Sequence, residues 1–198
     1  VFNLNTKKAL VYEKGVIEWF NGNMGSCVTM LYPSSVLLGK GARSESLGIV
    51  LAGEGQIQDT GSKVLHLASN TSSVVRSKSI SKDGGVSNYR GFVQVGKMAE
   101  NTHSTVTCDA LILDGESQSN TYPSVKNENS TATIAHEARV GKIGDEEIFY
   151  LKSRGYGEAE ATRLIVNGFI EPMIKAMPLE YALELNKLIE LEMENSIG

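Results

Sequence analysis

Cysteine, proline and long apolar runs are scarce in this sequence, and each scarcity excludes a class of protein. The 198 residues include two cysteines, four prolines and one tryptophan. Cys27 and Cys108 form neither a CxxC zinc pattern nor a disulfide framework, so we expect free thiols in a reducing compartment. No run of about eighteen apolar residues occurs, which argues against a membrane-spanning helix and a membrane partner. No signal peptide is visible, and because the sequence opens on Val1 without a methionine we expect a fragment of a longer protein.

Charge is close to balanced over most of the chain and acidic at its end. The formal net charge is -4 at pH 7. Residues 141–198 carry six basic and eleven acidic side chains, whereas residues 1–140 are near neutral. An acidic terminal segment argues against a nucleic-acid partner and favours a protein partner with a basic face.

Residues 1–143 consist of short β-type runs separated by glycine and polar turns. Segment 28–32 alternates as a strand with one buried face does. A sandwich, a barrel or a solenoid of parallel coils would each accommodate such strands. Small and β-branched polar residues at 70–73, 77–81 and 129–133 would stack well between coils. These runs favour a solenoid for residues 1–143, although no strict repeat period is readable.

From residue 144 the periodicity becomes helical and continues to residue 198. Acidic residues occupy the first turn of the first predicted helix, and Gly155 is placed to end it. Pro172 should break or bend the second helix, and Pro178 suits the first position of a third. Three amphipathic helices without a large core of their own need a surface to pack on. Part of that surface is expected to meet a partner.

Three residue types that can ligate a metal lie close to the junction between β-type and helical sequence. Cys108 occurs in a strand-like run, and His136 and Glu137 precede the first predicted helix. A thiolate is a soft ligand, whereas an imidazole and a carboxylate are harder ones. The competing interpretations are a buried small apolar cysteine, an interfacial histidine and a solvated or capping carboxylate. Stacked coils could bring Cys108 and the His136–Glu137 segment onto neighbouring positions.

Two enzyme classes remain as weaker alternatives. A cysteine hydrolase would use Cys108 with His136, but no glycine pattern for an oxyanion hole flanks the cysteine. A polysaccharide-active β-helix enzyme would need clustered carboxylates, for which Asp109, Asp114 and Glu116 are the candidates. The acid-poor β-type runs and the helical end fit that enzyme class badly.

Six motifs follow one another along the chain: GEGQIQDTGSK (53–63), SKSISKDGGVSNYRG (77–91), CDALILD (108–114), TYP (121–123), HEARVGKIGDEEIFYLKSRG (136–155) and IVNGF (165–169). They resemble, in order, motifs of the SufB/SufD family, the scaffold components of the SUF iron–sulfur cluster assembly machinery. The match runs over essentially the whole chain and is most like the carboxy-terminal part of SufB. The resemblance implies a right-handed parallel β-helix over residues 1–143, followed by a small α-helical domain over residues 144–198.

The resemblance also implies a site and a set of partners. Cys108 matches the family cysteine that helps hold a transient iron–sulfur cluster, and His136 and Glu137 match a second position in cluster assembly. Cys108 and Glu137 are thus the predicted iron ligands. The chain would be a scaffold, not an enzyme, since the ATPase activity belongs to the partner SufC.

In the family, SufC docks on the helical domain, and SufD or a second SufB-like subunit pairs with the β-helix. A sulfur donor and apo iron–sulfur proteins complete the set of partners, in a prokaryotic cytosol or a plastid stroma. One thiolate cannot complete a cluster, so further ligands must come from elsewhere. The nearest alternative is a SufD-like structural partner that has no cluster ligand.

Other chemistry-bearing residues have structural interpretations. Cys27 is predicted to have a structural or neutral role, and His66 and His103 are predicted to be structural or solvent-facing. A basic group near Gly84–Gly85 would steer sulfide or persulfide cargo or balance nearby acids, and the second interpretation is favoured. Gly84–Gly85 is followed by no GK[ST] and is a turn, not a nucleotide site. The basic residues are Arg76, Lys78, Lys82 and Arg90.

Overall fold

Twelve strands precede three helices in the computed structural model, which describes residues 1–194. The helices are α1 (Asp145–Ser153), α2 (Glu158–Ile174) and α3 (Leu179–Glu194). The strands are β1 (Phe2–Asn5), β2 (Lys8–Val11), β3 (Val16–Asn23), β4 (Val28–Leu31), β5 (Ser34–Leu37), β6 (Arg43–Ala52), β7 (Ile57–His66), β8 (Ser72–Ser81), β9 (Val86–Val95), β10 (His103–Ile112), β11 (Gln118–Asn127) and β12 (Thr133–Lys142). Residues 195–198 of the predicted helical segment lie outside the described part.

The strands form two parallel sheets that wind as a solenoid of about five turns. Sheet B runs β3–β6–β8–β10–β12. Sheet A contains the other strands, with β4 and β5 both pairing with β7, then β9 and β11 following. The mainly β solenoid with a helical end is therefore confirmed, and the sandwich and barrel alternatives are wrong.

Coil length varies along the solenoid, which explains why the sequence shows no strict repeat. In sheet A, Ile57 aligns with Val86, and Val86 in turn aligns with Gln118. The turn from Val86 to Gln118 is the longer of the two, as the residue numbers show. The extra length leaves the strand register intact but shifts every later position of the repeat. A fixed-period search fails on such a chain even though its coils stack regularly.

Polar residues form the corners between strands. Asn70 and Asn101 occupy equivalent corners with φ of 56° and 52°, a left-handed conformation that asparagine tolerates better than most residues. The Asn101 side-chain amide donates to Asn70 Oδ1 at 3.5 Å, and its backbone N–H donates to Thr131 Oγ1 at 2.8 Å. The predicted stacking of polar runs 70–73 and 129–133 is seen here, with Asn101 on the coil between them.

Apolar side chains fill the interior between the sheets. Alternating residues of each strand point inward, as the burial of β8 and β10 shows. One interior group combines Val11, Leu37, Val64, Val75, Tyr89, Val93, Val106 and Cys108. Each fully buried valine or leucine contributes about 1.5–3 kcal/mol, so this column stabilises the solenoid as a whole.

The helices pack on the outer face of sheet B. Leu47, Ile49 and Ile80 of the sheet join Ile170 of α2 and Ile189 of α3 in one buried group. The surface that the amphipathic helices were predicted to need is therefore supplied mainly by the solenoid itself. No helix within residues 1–194 has both the length and the apolarity needed to cross a bilayer.

Two lysines fasten α2 and α3 to sheet B. Lys78 Nζ donates to the Phe169 carbonyl at 2.6 Å and lies 4.3 Å from the centre of the Phe169 ring. Lys82 Nζ donates to the Glu192 carbonyl at 2.9 Å. These bonds satisfy carbonyl oxygens of the helices with charged donors, which are stronger than neutral ones.

The helix ends follow the sequence signals with one difference. Gly155 adopts a φ of +97° directly after α1, as its predicted stop position requires. Glu147 accepts a hydrogen bond from the Gly144 N–H at 3.3 Å at the start of α1. Helix α2 does not break at Pro172 but ends shortly after it, at Ile174. Because Pro172 lies in the last turn of α2, its missing N–H removes only one hydrogen bond of the helix.

Candidate functional site

Cys108 lies inside the solenoid near its last coil. Its side chain is 5% exposed and belongs to the interior apolar group. In sheet B it aligns with Ser77 on β8 and Ala138 on β12. Burial raises the pKa of the Cys108 thiol to about 12, opposed by a hydrogen bond with Tyr89 and reinforced by the negative charge of Asp109. The thiol is therefore protonated at neutral pH, and metal binding would release its proton.

His136 points to the same interior face as Cys108. It aligns with Val106, two positions before Cys108, so His136 and Cys108 are diagonal neighbours on one face of sheet B. Its Nε2 is buried and has no hydrogen-bond partner. Burial also lowers the pKa of the ring. The imidazole is thus held in the neutral form that ligates metals.

Glu137 lies on the opposite face of β12. It aligns with Thr107, and its carboxylate accepts from Arg139 at 2.6 Å in solvent. Residues aligned across neighbouring strands share a face, and successive residues of one strand alternate between faces. His136 therefore shares the face of Val106 and Cys108, and the next residue turns away. The structure brings Cys108 and His136 together and leaves Glu137 apart.

Tyr89 shares the interior apolar group of Cys108, a placement that the sequence argument missed. Tyr89 projects inward from β9 of sheet A, is 8% exposed, and its hydroxyl lies 2.8 Å from Ser62 Oγ in a hydrogen bond. Burial raises the pKa of Tyr89 far above its ordinary value. A tyrosine at an inward position needs a partner for its hydroxyl. The alternation of inward and outward residues in SNYRG (87–91) was the sequence signal that could have placed Tyr89 in the interior.

A small cavity with polar and apolar lining lies beside Tyr89 and Ser62 inside the solenoid. Its volume is about 20 Å³, enough for roughly one water molecule. Ser62, Ser77 and Tyr89 line it together with Asn23 and Ser46. Ser77 is the strand neighbour of Cys108, so a polar interior adjoins the thiol on the side of the preceding coils.

Two of the three carboxylates expected of a polysaccharide-active enzyme, those of Asp114 and Asp109, interact with neighbouring groups of the solenoid. Asp114 accepts from the backbone N–H groups of Asp83, Glu116 and Ser117 at 2.6–2.8 Å, which holds its pKa below the ordinary value despite partial burial. Asp109 lies 3.8 Å from Lys78. No group of three or more His, Cys, Asp or Glu residues within 1–194 could hold a metal ion. The interior pair of Cys108 and His136 would thus need further ligands from elsewhere.

The hydrolase alternative also fits the geometry badly. A catalytic thiol is activated by a lowered pKa in a partly exposed, electropositive setting. Cys108 is buried, and its pKa is raised. The structure offers it hydrogen bonding without activation.

The four basic residues near Gly84–Gly85 do not form one patch. Arg76 pairs with Glu45 at 2.8 Å, and Arg90 forms a two-pronged pair with Asp59 on sheet A. Lys78 and Lys82 bind the helices, as described above. The favoured prediction, that these cations balance local groups, is confirmed, as is the structural role of His66, whose two ring nitrogens bond Thr71 and Ser73.

Fold and site together define a β-solenoid protein with a carboxy-terminal helical module and an interior thiol–imidazole pair at the last coils. The family model "SUF system FeS cluster assembly, SufBD core domain" matches residues 1–169. The chain belongs to the SufBD family of iron–sulfur cluster assembly proteins.

Relatives from two staphylococcal species extend the match to all 198 residues. The iron–sulfur cluster assembly SufBD family proteins of Staphylococcus saprophyticus and of Staphylococcus aureus strains USA300 and NCTC 8325 are each 54% identical over the whole chain. The chain spans 43% of the length of these relatives.

Proposed function

We propose that this chain is part of a scaffold subunit on which iron–sulfur clusters are assembled and from which they are transferred. The observation that carries the proposal is the inward-facing pair of Cys108 and His136, with Nε2 of His136 buried and unpartnered. The chain itself is not an enzyme in this scheme, since ATP is hydrolysed by a SufC partner. Its two free cysteines and its bacterial relatives favour a bacterial cytoplasm.

The donor set suits a cluster that is cargo. Once deprotonated, Cys108 supplies the soft thiolate that iron–sulfur clusters need, and the neutral imidazole of His136 is a second, weaker donor. Two donors from one chain leave the cluster dependent on ligands from a partner, which favours release. Glu137 is a third proposed ligand and, from the outer face, would serve iron at the rim of the solenoid.

Anaerobic reconstitution with iron and sulfide tests the ligand assignment. In the full-length protein with its partners, Cys108→Ala should lose most of the visible cluster absorbance, whereas Cys27→Ala should keep it because Cys27 is exposed and remote in the fold. His136→Ala should give an intermediate loss. Unchanged absorbance in Cys108→Ala would remove Cys108 from the ligand set and favour the SufD-like structural alternative.

The helical module is the proposed dock for SufC. Large apolar side chains remain exposed there although the helices pack on sheet B, including Phe149, Leu179, Tyr181 and Leu183. Deleting the helices would uncover the apolar outer face of sheet B, so point substitutions are the cleaner experiment. Phe149→Asp with Leu183→Asp should abolish co-purification with SufC, and Lys187→Ala, on an exposed position of α3, should not. Retained binding by the double variant would contradict the docking site.

The last coil is the proposed contact for SufD or a second SufB-like subunit. Within residues 1–194, β11 pairs only with β9 and β12 only with β10, so each has a free edge. Val125 and Val140 are also about half exposed at this end. Free edges and open apolar ends favour strand addition by a partner. Val140→Lys should weaken subunit association in analytical ultracentrifugation, and unchanged association would place the interface elsewhere.

A further inference from the structure

We propose that Arg139 is a positioning residue with two alternative partners on the outer face of sheet B, Glu137 and Asp109. It pairs with Glu137 in this structure, and it would pair with Asp109 when Glu137 binds iron. The inference rests on the proposed function of Glu137 as an iron ligand. Arg139 then competes with iron for the Glu137 carboxylate, and Asp109 weakens that competition by offering the guanidinium another acceptor.

The ion pair that Arg139 forms with Glu137 is exposed and can be broken at small cost. Nε and one terminal nitrogen of Arg139 both donate to Oε1 of Glu137, at 3.1 and 2.6 Å. The side chains of Arg139 and Glu137 are 69% and 56% exposed. Exposed ion pairs contribute little to stability, so a competing partner of similar strength is enough to draw the guanidinium away.

Asp109 is the cross-strand neighbour of Arg139 and carries an unpaired oxygen. It lies on β10 and aligns with Arg139 on β12, so the two side chains share the outer face of sheet B. Its Oδ1 is buried and has no hydrogen-bond partner. Buried polar atoms are nearly always paired, and a guanidinium suits a carboxylate well. Oδ1 of Asp109 is therefore a second acceptor for Arg139.

Lys78, which aligns with Asp109 on the other side, does not satisfy this carboxylate. Its Nζ lies 3.8 Å from Oδ2 of Asp109, beyond hydrogen-bond distance. The amine donates instead to the Phe169 carbonyl of α2 at 2.6 Å. Asp109 thus has a lysine nearby that is held by the helix, and it can still accept a close donor from Arg139.

A surface groove gives the guanidinium room to turn from one partner to the other. The groove lies between sheet B and α2, has a volume of about 510 Å³ and is lined by Asp109, Arg139 and Phe169 among other residues. Alternate residues of a strand lie about 6.6 Å apart, whereas neighbouring strands lie about 4.8 Å apart. An arginine that reaches Glu137 along its own strand can therefore also reach Asp109 across the strands.

Titration of the full-length protein and its partners with Fe²⁺ alone, under anaerobic conditions, tests the competition. Arg139→Ala should bind Fe²⁺ about two- to fivefold more tightly, because no ion pair has to break first. Asp109→Asn keeps the side-chain shape but removes the charge that attracts Arg139, so binding should be about two- to fivefold weaker. In the Arg139→Ala background the same Asp109→Asn change should have a smaller effect, since only its direct charge effect on iron remains.

Lys126→Ala is the matched control for the loss of a positive charge. Lys126 pairs with Glu128 at 3.2 Å, with the same spacing along the chain as the pair of Arg139 and Glu137, and its side chain is 57% exposed. It lies on β11 of sheet A, away from the proposed iron ligands. Its removal should leave the Fe²⁺ affinity unchanged.

A crystal structure of the full-length Glu137→Ala variant tests the alternative pairing without any metal. Arg139 has lost its present partner in this variant and should donate to Oδ1 of Asp109. A guanidinium that does not contact Asp109 overturns the proposal.

The Fe²⁺ titrations separate this proposal from the ligand role of Glu137. Unchanged or weaker binding in Arg139→Ala overturns the competition, as does an equal loss from Asp109→Asn in both backgrounds. If Glu137→Gln binds Fe²⁺ as the wild type does, the ligand role of Glu137 fails, and the Glu137→Ala structure alone decides whether Arg139 has two partners.

Discussion

Two histidines face the interior of the solenoid, and they differ in how their nitrogens are satisfied. His66 is 0% exposed, its Nδ1 lies 2.8 Å from Thr71 Oγ1 and its Nε2 3.0 Å from Ser73 Oγ. Ser73 in turn donates to Ser104 at 2.8 Å. His136, near the end of the solenoid, keeps Nε2 buried without a partner. Both ring nitrogens of His66 are thus hydrogen-bonded within a chain of side chains, whereas Nε2 of His136 has no partner and can still bind a ligand.

Whether the buried ring nitrogens have hydrogen-bond partners distinguishes a structural histidine from a candidate ligand better than the residue type does. Buried polar atoms in folded proteins are nearly always paired, so an unpaired one needs an explanation. The His66 ladder needs none, since its hydroxyl groups satisfy one another from coil to coil. At His136 the unpaired Nε2 is explained by the ligand role that we propose for this residue.

The largest expected effect is on stability and separates the two histidines directly. His66→Ala removes one hydrogen-bond partner from each of Thr71 and Ser73 and opens a cavity, so the free energy of unfolding should fall by about 3–5 kcal/mol. His136→Ala, at the half-buried end, should cost about 1 kcal/mol or less. Urea unfolding of both variants measures the difference, and equal losses would contradict the assignment of separate roles.

The pH dependence of stability should follow His66. Burial lowers its pKa from 6.5 to about 4, so between these values the unfolded chain binds a proton that the folded chain does not. Stability should therefore fall as the pH drops from 6.5 toward 4, by about 3 kcal/mol at most, and be unaffected above 6.5. His66→Gln, which cannot take up the proton, should flatten this part of the profile in urea unfolding at several pH values. A profile unchanged by the substitution would show that His66 is not the group responsible.

A pair of glycine substitutions tests crowding at each histidine. Gly91→Ala brings Cβ to 3.0 Å from the Tyr89 ring beside His136, so it should cost about 1–2 kcal/mol and reduce cluster reconstitution. Gly96→Ala places Cβ 3.4 Å from the His66 carbonyl oxygen, an ordinary contact, and should be nearly neutral in both measurements. Cluster yield and thermal unfolding measure both variants. Loss of cluster in Gly96→Ala, without unfolding, would contradict the placement of the site.

The smallest effect on stability is expected at Glu137. Its carboxylate pairs with Arg139 in solvent, and exposed pairs contribute little. Glu137→Gln should leave the thermal unfolding midpoint unchanged, so any change in iron binding would reflect ligation alone. Iron binding equal to that of the wild type would remove Glu137 from the proposed ligands.

Much of the fold could be predicted from local sequence patterns. Alternation and small polar runs predicted stacked β coils, and the glycine at 155 ends α1 where expected, because these features depend on residues close in the chain. The solenoid was favoured over a sandwich or barrel only modestly from residues alone. The unequal lengths of successive turns in sheet A, from Ile57 to Val86 and from Val86 to Gln118, removed the periodicity that would have decided it.

The sequence by itself determined that a thiol, an imidazole and a carboxylate lie near the junction at which β-type residues give way to helices, and that two thiols form no disulfide framework. Only the tertiary structure decided which of them meet. The register of β10 on β12 places His136 on the face of Cys108 and Glu137 on the other, because aligned residues share a face and successive ones alternate. Tyr89 and Cys108 likewise belong to one interior group although they lie on opposite sheets, a placement that arises from the winding of the solenoid and from no local pattern.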